Sequence, residues 1–272
     1  MTEFRDRFGV DLGARLPIED GLRWAQANGF AFADIRLGDT GNEFSSFDAR
    51  RIQGVRALIE ETGVHLGLHT LSAVNMAEFV PYLSDAVDRY LTDYLDLAGP
   101  LGAEWIVVHA GYHFTADYER RKKTGLERLQ RLSDHAARKG VRLLLENMNP
   151  EPKDAEVKYL AQDIPECEYY FGNLTSPNLG WSYTINHAHM LRVGIEGFTS
   201  GLDMSRCGEV RVADNKGDKE EHLRPGEGTI DFKAAFGGID ARGYRGHYML
   251  AFGTLDDIRD GRDWLVENAT PA

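Results

Sequence analysis

Three apolar runs in this chain end abruptly in a polar, chemistry-bearing residue, and that repeat constrains the fold more than any other feature. Val141-Arg142-Leu143-Leu144-Leu145 stops at Glu146-Asn147, Trp105-Ile106-Val107-Val108 stops at His109, and Val64-His65-Leu66-Gly67-Leu68 stops at His69-Thr70. A short, bulky, nearly continuous apolar run reads as a parallel strand buried on both faces, and its carboxyl end is where such sheets open into sites. Any one of these polar residues could simply cap its strand. Three consecutive strands delivering His69, His109 and Glu146 instead argue for one shared space.

The rest of the chain supplies further strands with helices between them. Phe8–Gly13 reads as the first strand, and Pro17-Ile18-Glu19-Asp20 opens a helix that stops at Asn28-Gly29. A second strand spans Phe30 to Leu37. Ser46-Phe47-Asp48 offers an N-cap to a helix over 51–61, and Gly63 is its stop. Helices are expected from about Pro81 to Leu97 and from Tyr118 to Lys139, and Lys158 to Gln162 reads as a short helical piece. Trp181–Thr184, Glu209–Asn215 and His247–Phe252 complete eight strands, with Asn186-His187-Ala188-His189 just past the sixth and a terminal helix from Asp256. Eight strands alternating with helical segments predict an α/β fold, a (β/α)8 TIM barrel, occupying residues 1–272 as one domain with no legible linker.

Composition narrows the partners. A net charge of −12 gives no general attraction to nucleic acid or anionic membrane, and no apolar run reaches membrane-spanning length. The amino terminus, Met1-Thr2-Glu3-Phe4-Arg5-Asp6-Arg7, lacks the apolar centre of a secretion signal. Cys167 and Cys207 are far apart and show no metal-type spacing, which fits a reducing cytoplasm.

The segments Gly67-Leu68-His69-Thr70, Val107-Val108-His109-Ala110-Gly111, Leu144-Leu145-Glu146-Asn147, Asn186-His187-Ala188, Ala213-Asp214-Asn215 and Pro225-Gly226-Glu227-Gly228, in this order, resemble the xylose isomerase-like barrel superfamily of sugar isomerases, epimerases and endonuclease IV relatives. The resemblance covers nearly the whole length. It implies a divalent metal held by a glutamate, an aspartate, a histidine and a second glutamate from four strand ends. Glu146 matches the first, but Thr184, Arg211 and Ala251 stand at the other three, and no carboxylate lies between Glu168 and Glu196 to restore the aspartate. The expectation is therefore a dismantled site in which the fixed charge of Arg211 replaces the ion, pairing with Glu146 or polarising a substrate carbonyl or carboxylate. Two other ligand sets of the endonuclease IV relatives are kept: His69, His109 and Glu146, and His187, Glu220 and His222, with a glutamate replacing the expected aspartate. A zinc or manganese ion on the first set is the open alternative.

The resemblance then implies an isomerase, epimerase or lyase that moves a proton beside a carbonyl of a small polyol, sugar or sugar acid. Glu146 is the expected base, His187 the acid and Arg211 the electrophile, with His69, His109, Asn147 and His222 binding substrate. Trp181 is assigned to core packing. The competing functions are a non-catalytic sugar-binding barrel or subunit and a zinc phosphodiesterase acting on damaged DNA. The second of these needs a metal cluster whose central ligands are replaced here. Relatives are often dimers or tetramers, so a homo-oligomer is expected, although no interface pattern is legible. The loops at 71–78, 112–118 and 149–154 would set the substrate.

Overall fold

The apolar runs form the staves of a closed parallel barrel in the computed structural model, which describes residues 3–271. Met1 and Thr2 of the amino-terminal stretch, and Ala272, lie outside the described residues. In chain order the elements are β1 (Phe8–Gly13), α1 (Ile18–Ala27), β2 (Phe32–Ile35), α2 (Ala49–Thr62), β3 (His65–His69), α3 (Pro81–Leu101), β4 (Trp105–Val108), β5 (Tyr112–Phe114), α4 (Tyr118–Lys139), β6 (Arg142–Glu146), β7 (Val157–Tyr159) and α5 (Ile164–Asn173). They continue as β8 (Leu179–Thr184), α6 (Ile185–His189), α7 (Gly194–Gly201), β9 (Cys207–Val212), α8 (Phe232–Ala241), β10 (Tyr248–Leu250) and α9 (Leu255–Ala269). The barrel order is β1-β10-β9-β8-β6-β4-β3-β2, which confirms the (β/α)8 expectation.

Local chemistry sets the element ends. The Asp48 side chain accepts from Arg51 N at 2.8 Å to start α2, and Gly63 ends it in the left-handed conformation at φ 68°. Helix α3 runs past the expected Leu97 to Leu101, with Pro100 inside its last turn.

One local expectation is overturned. Residues 157–159 are extended, not helical: β7 pairs antiparallel with β5, Tyr112 opposite Tyr159 and Phe114 opposite Val157. Tyr, Phe and Val favour extended backbone, and pairing the two stretches gives their backbone groups partners that a lone helical turn would leave open. The ribbon brings Tyr159 to the mouth of the barrel.

Side chains on the barrel strands alternate between two environments. The outward set, including Ile106, Val108, Leu143 and Leu145, packs under the helices in the main apolar cluster. The inward set forms a separate, much smaller cluster of Trp105, Val107, Leu144 and Met249, with Phe32 against it. Above that plug the interior turns polar. Gly67 is required there: a Cβ would overlap both the Trp105 ring and the Asp34 carboxylate, which are joined by a 3.0 Å hydrogen bond from Trp105 Nε1. Trp181 is fully buried and stacked on Tyr183, as the packing assignment requires. Among the described residues no helix is long and apolar enough to cross a membrane.

Candidate active site

The carboxyl ends of the strands enclose a cavity of about 270 Å³. His69, His109, Glu146, His187, Arg211 and His222 all line it, as do Thr184 and Ala251. Asn147 does not, which corrects its assignment to substrate. Its amide is buried and spent on the Thr184 backbone, accepting from N at 2.8 Å and donating to O at 3.1 Å, so it ties β6 to β8.

His69 Nε2, His109 Nε2 and Glu146 Oε2 converge to mutual separations of 3.2, 3.3 and 3.2 Å. A tetrahedral ion with ligand bonds of roughly 2.0–2.1 Å requires ligand-to-ligand edges of roughly 3.3–3.4 Å, so these three atoms make one face of such a tetrahedron. Glu146 Oε2 is also buried without a well-formed hydrogen bond, an orphan that needs a partner. The other carboxylate oxygen, Oε1, accepts from the Thr184 hydroxyl at 2.6 Å.

The far nitrogens are oriented as a ligand set needs. Thr70 Oγ1 spends its proton on the Val107 carbonyl at 3.0 Å, so towards His109 Nδ1, 3.4 Å away, it can only accept. That leaves Nε2 of His109 as the lone-pair atom. His69 Nδ1 faces Asp11 Oδ2 at 3.7 Å, the arrangement by which a carboxylate steers a ligating imidazole. Without an ion, three acceptor atoms crowd together and a proton must be trapped among them. Burial and Arg211 push the His69 imidazolium down, but Asp11 and Glu146 outweigh them and raise it to about 9. Burial lowers His109. Burial alone would raise Glu146, yet the two imidazoles hold it well below the usual carboxylate range.

A second set repeats the pattern. His187 Nδ1 donates to the Asn147 carbonyl at 2.7 Å and His222 Nδ1 to the Ala251 carbonyl at 2.6 Å. Both Nε2 atoms therefore aim at one oxygen, Glu220 Oε1, at 3.1 and 2.7 Å. Despite burial, those imidazoles hold the Glu220 carboxyl down at about 2. His187 Nδ1 lies 3.9 Å from Glu146 Oε1, so the two sets are neighbours in one cavity. Each consists of three N/O donors facing a common point, a donor chemistry that fits zinc or a similar ion.

Arg211 does not pair with Glu146, and this corrects that part of the expectation. Its Nη1 donates to Asp34 at 2.6 Å and Glu209 at 3.0 Å, and its Nη2 donates to Asp11. Glu146 feels it only through space. Beneath the cavity floor Glu209 also accepts from Ser182 at 3.0 Å and meets His247 at 3.2 Å. Burial opposes ionisation of both neighbouring carboxyls. Arg211 and His247 bring Glu209 down to about 2, while burial and the charge of Glu209 raise Asp34 well above its ordinary value. Asp11, Asp34 and Glu209 escaped the sequence reading, although each is a carboxylate at an alternate position within a strand. Tyr159 escapes it because the residues around it read as helical, and Arg36, which also lines the cavity, because nothing in its strand-end spacing sets it apart.

The chain as a whole is similar to known proteins. Two uncharacterized proteins of Methanocaldococcus jannaschii align with the chain: MJ1614 is 30% identical over 165 residues, 60% of each chain, and MJ1311 is 28% identical over 213 residues, 76% of this chain and 69% of that one. The match thus spans less than two thirds of MJ1614. Similar solved structures include sugar epimerases. A D-tagatose 3-epimerase-like protein superposes with a TM-score of 0.81 at 22% identity, covering 96% of both chains. D-psicose 3-epimerase of Clostridium cellulolyticum H10 gives 0.79 at 15% identity, over 98% of this chain and all of the other. The 3-keto-D-glucoside 4-epimerase YcjR of E. coli gives 0.77 at 19% identity, over 95% and 98%. At these identities the likeness establishes the fold. The sequence profile of the xylose isomerase-like TIM barrels matches residues 22–268, and the chain belongs to that family.

Proposed function

We propose that this barrel is a metal-dependent enzyme of the isomerase and epimerase class, acting on a small polyhydroxylated carbonyl compound. The observation that carries this reading is the tetrahedral face formed by His69 Nε2, His109 Nε2 and Glu146 Oε2, opening onto a small polar cavity. The epimerases among the structural neighbours support the reaction class. An ion on that face would supply Lewis-acid polarisation of a bound carbonyl or hydroxyl oxygen.

The chain's own groups divide the remaining work. Glu146 stays ionised, and its Oε1, hydrogen-bonded among the described residues only by the Thr184 hydroxyl, is the oxygen that accepts a proton from substrate carbon. His187 keeps its Nδ1 proton on the Asn147 carbonyl and exchanges a proton at Nε2, steadied by Glu220. His222 is fixed by the Ala251 carbonyl and presents Nε2 to the same space. Arg211 is a positioning residue: it holds Asp11, and Asp11 orients His69. The β5–β7 ribbon and Tyr159 narrow the mouth and limit water access.

The test combines metal analysis with isotope exchange. Protein purified without chelator should carry zinc, manganese or a similar ion, and His69→Ala or His109→Ala should lose it. Incubated in D2O with a panel of ketoses and aldoses, the loaded enzyme should place deuterium on a carbon beside the carbonyl. A metal-free protein that binds sugars without exchange would instead establish a non-catalytic binding barrel. The His187, Glu220 and His222 set favours a second reading, hydrolysis of a phosphoester across two ions, which predicts two ions per chain and turnover of bis-p-nitrophenyl phosphate.

A further inference from the structure

Among the described residues two permanently cationic side chains line the cavity, Arg36 and Arg211, and they are held very differently. Arg211 sits on the floor with its terminal nitrogens committed to Asp11, Asp34 and Glu209. Arg36 is placed differently. It follows β2 directly, on the same alternate side of the strand as the inward Asp34, and its backbone is anchored by N–H donation to Gly13 O at 2.9 Å. One edge of its guanidinium is tethered: Nε and Nη2 donate to a single oxygen of Asp39, Oδ2, at 3.0 and 2.7 Å. The other edge, Nη1, makes no hydrogen bond among the described residues. Ser72 and Tyr159 line the same cavity and bring hydroxyls to it.

This half-tethered fork is pre-organised. Asp39 fixes the plane of the guanidinium, so little rotamer entropy is left to lose when a ligand arrives, while the free edge still presents parallel N–H donors. Asp39 is itself half-exposed, at 42%, so water screens much of its charge and Arg36 keeps its attraction for a second anion. Among the described residues no lysine lines the cavity to compete for that role.

We infer that Arg36 receives an anionic terminus of the substrate, a phosphate or carboxylate oxygen, with Ser72 and Tyr159 as neighbouring hydroxyl donors. This inference rests on the reading of the cavity as the substrate site and narrows the substrate class to sugar phosphates or sugar acids, with the anion at the rim. The carbonyl end is then directed towards His69, His109 and Glu146.

The experiment is a set of calorimetric titrations of the metal-loaded protein with matched probes: D-ribulose against D-ribulose 5-phosphate, and D-glucose against D-glucuronate. A charge-assisted pair should give the charged member of at least one couple a roughly 10- to 100-fold tighter Kd. Which couple shows the advantage identifies phosphate or carboxylate as the anion. Arg36→Gln should erase it while metal content stays unchanged. Arg36→Lys, which keeps the charge but not the fork, should keep part of it. Equal affinity within both couples in the wild-type protein, or an advantage that survives Arg36→Gln, overturns the assignment. Selective binding without deuterium exchange leaves Arg36 in this role and removes the proton-transfer reading. Exchange on neutral sugars with no preference for charge does the reverse.

Discussion

Replacing Arg211 by methionine separates a structural keystone from a catalytic electrophile. The guanidinium is 3% exposed and touches three carboxylates, two of which, Asp34 and Glu209, have no solvent exposure at all. Methionine fills much of the same volume but leaves those carboxylates facing one another without a cation. Breaking a buried ion pair by deleting one partner costs about 3–5 kcal/mol, and three stranded acids put this case at the upper end. For a chain of this size each kcal/mol lowers Tm by roughly 2–4 °C, so a fall of roughly 6–20 °C is expected. Urea unfolding followed by circular dichroism, at neutral pH, measures the same loss as a reduced midpoint with unchanged slope. Adding Asp34→Asn in the Arg211→Met background should recover part of the loss, because one of the stranded acids beside Glu209 is removed. The double variant should depart from additivity by more than about 0.5 kcal/mol, since the two residues are in contact. An Arg211→Met protein as stable as wild type that loses only turnover would refute this reasoning and restore the guanidinium as the group that acts on substrate.

Three further outcomes follow from the geometry. Zinc binding at neutral pH should release about one proton per ion, because the crowded Nε2, Nε2 and Oε2 atoms must share a proton until a cation replaces it; titrations in buffers of different ionisation enthalpy would read it, and zero release would count against the shared ligand face. Gly67→Ala should destabilise by about 1–3 kcal/mol or more, since its methyl overlaps the Trp105 ring and Asp34; chemical denaturation checks this, and a neutral effect would mean the Trp105–Asp34 bond is dispensable. Asp48→Ala should cost about 1 kcal/mol through loss of the α2 cap and leave ligand binding untouched, by denaturation and calorimetry.

Much of the barrel was legible because local sequence carries its own period. The buried β4 and β6 runs, the Asp48 and Gly63 helix ends, and the polar residues closing three strands all follow from spacing and residue type. Placement of His69, His109, Glu146 and His187 around one cavity followed as well, since parallel strands in order must bring their ends together. The side-chain partners were not legible. Whether Arg211 meets Glu146 above or Asp11, Asp34 and Glu209 below depends on how far each strand is staggered against its neighbours. Asn147 looked like a site residue from its neighbour Glu146, but successive residues on a strand face opposite ways, and only one of the two could face the cavity. The β5–β7 ribbon likewise depended on two segments more than forty residues apart finding each other. Sequence by itself thus determined the staves and which of them end in chemistry, because those are properties of one strand. Tertiary structure alone decided which charges neutralise each other and which, like the free edge of Arg36, are left for a ligand, because pairing is a property of distance across the barrel.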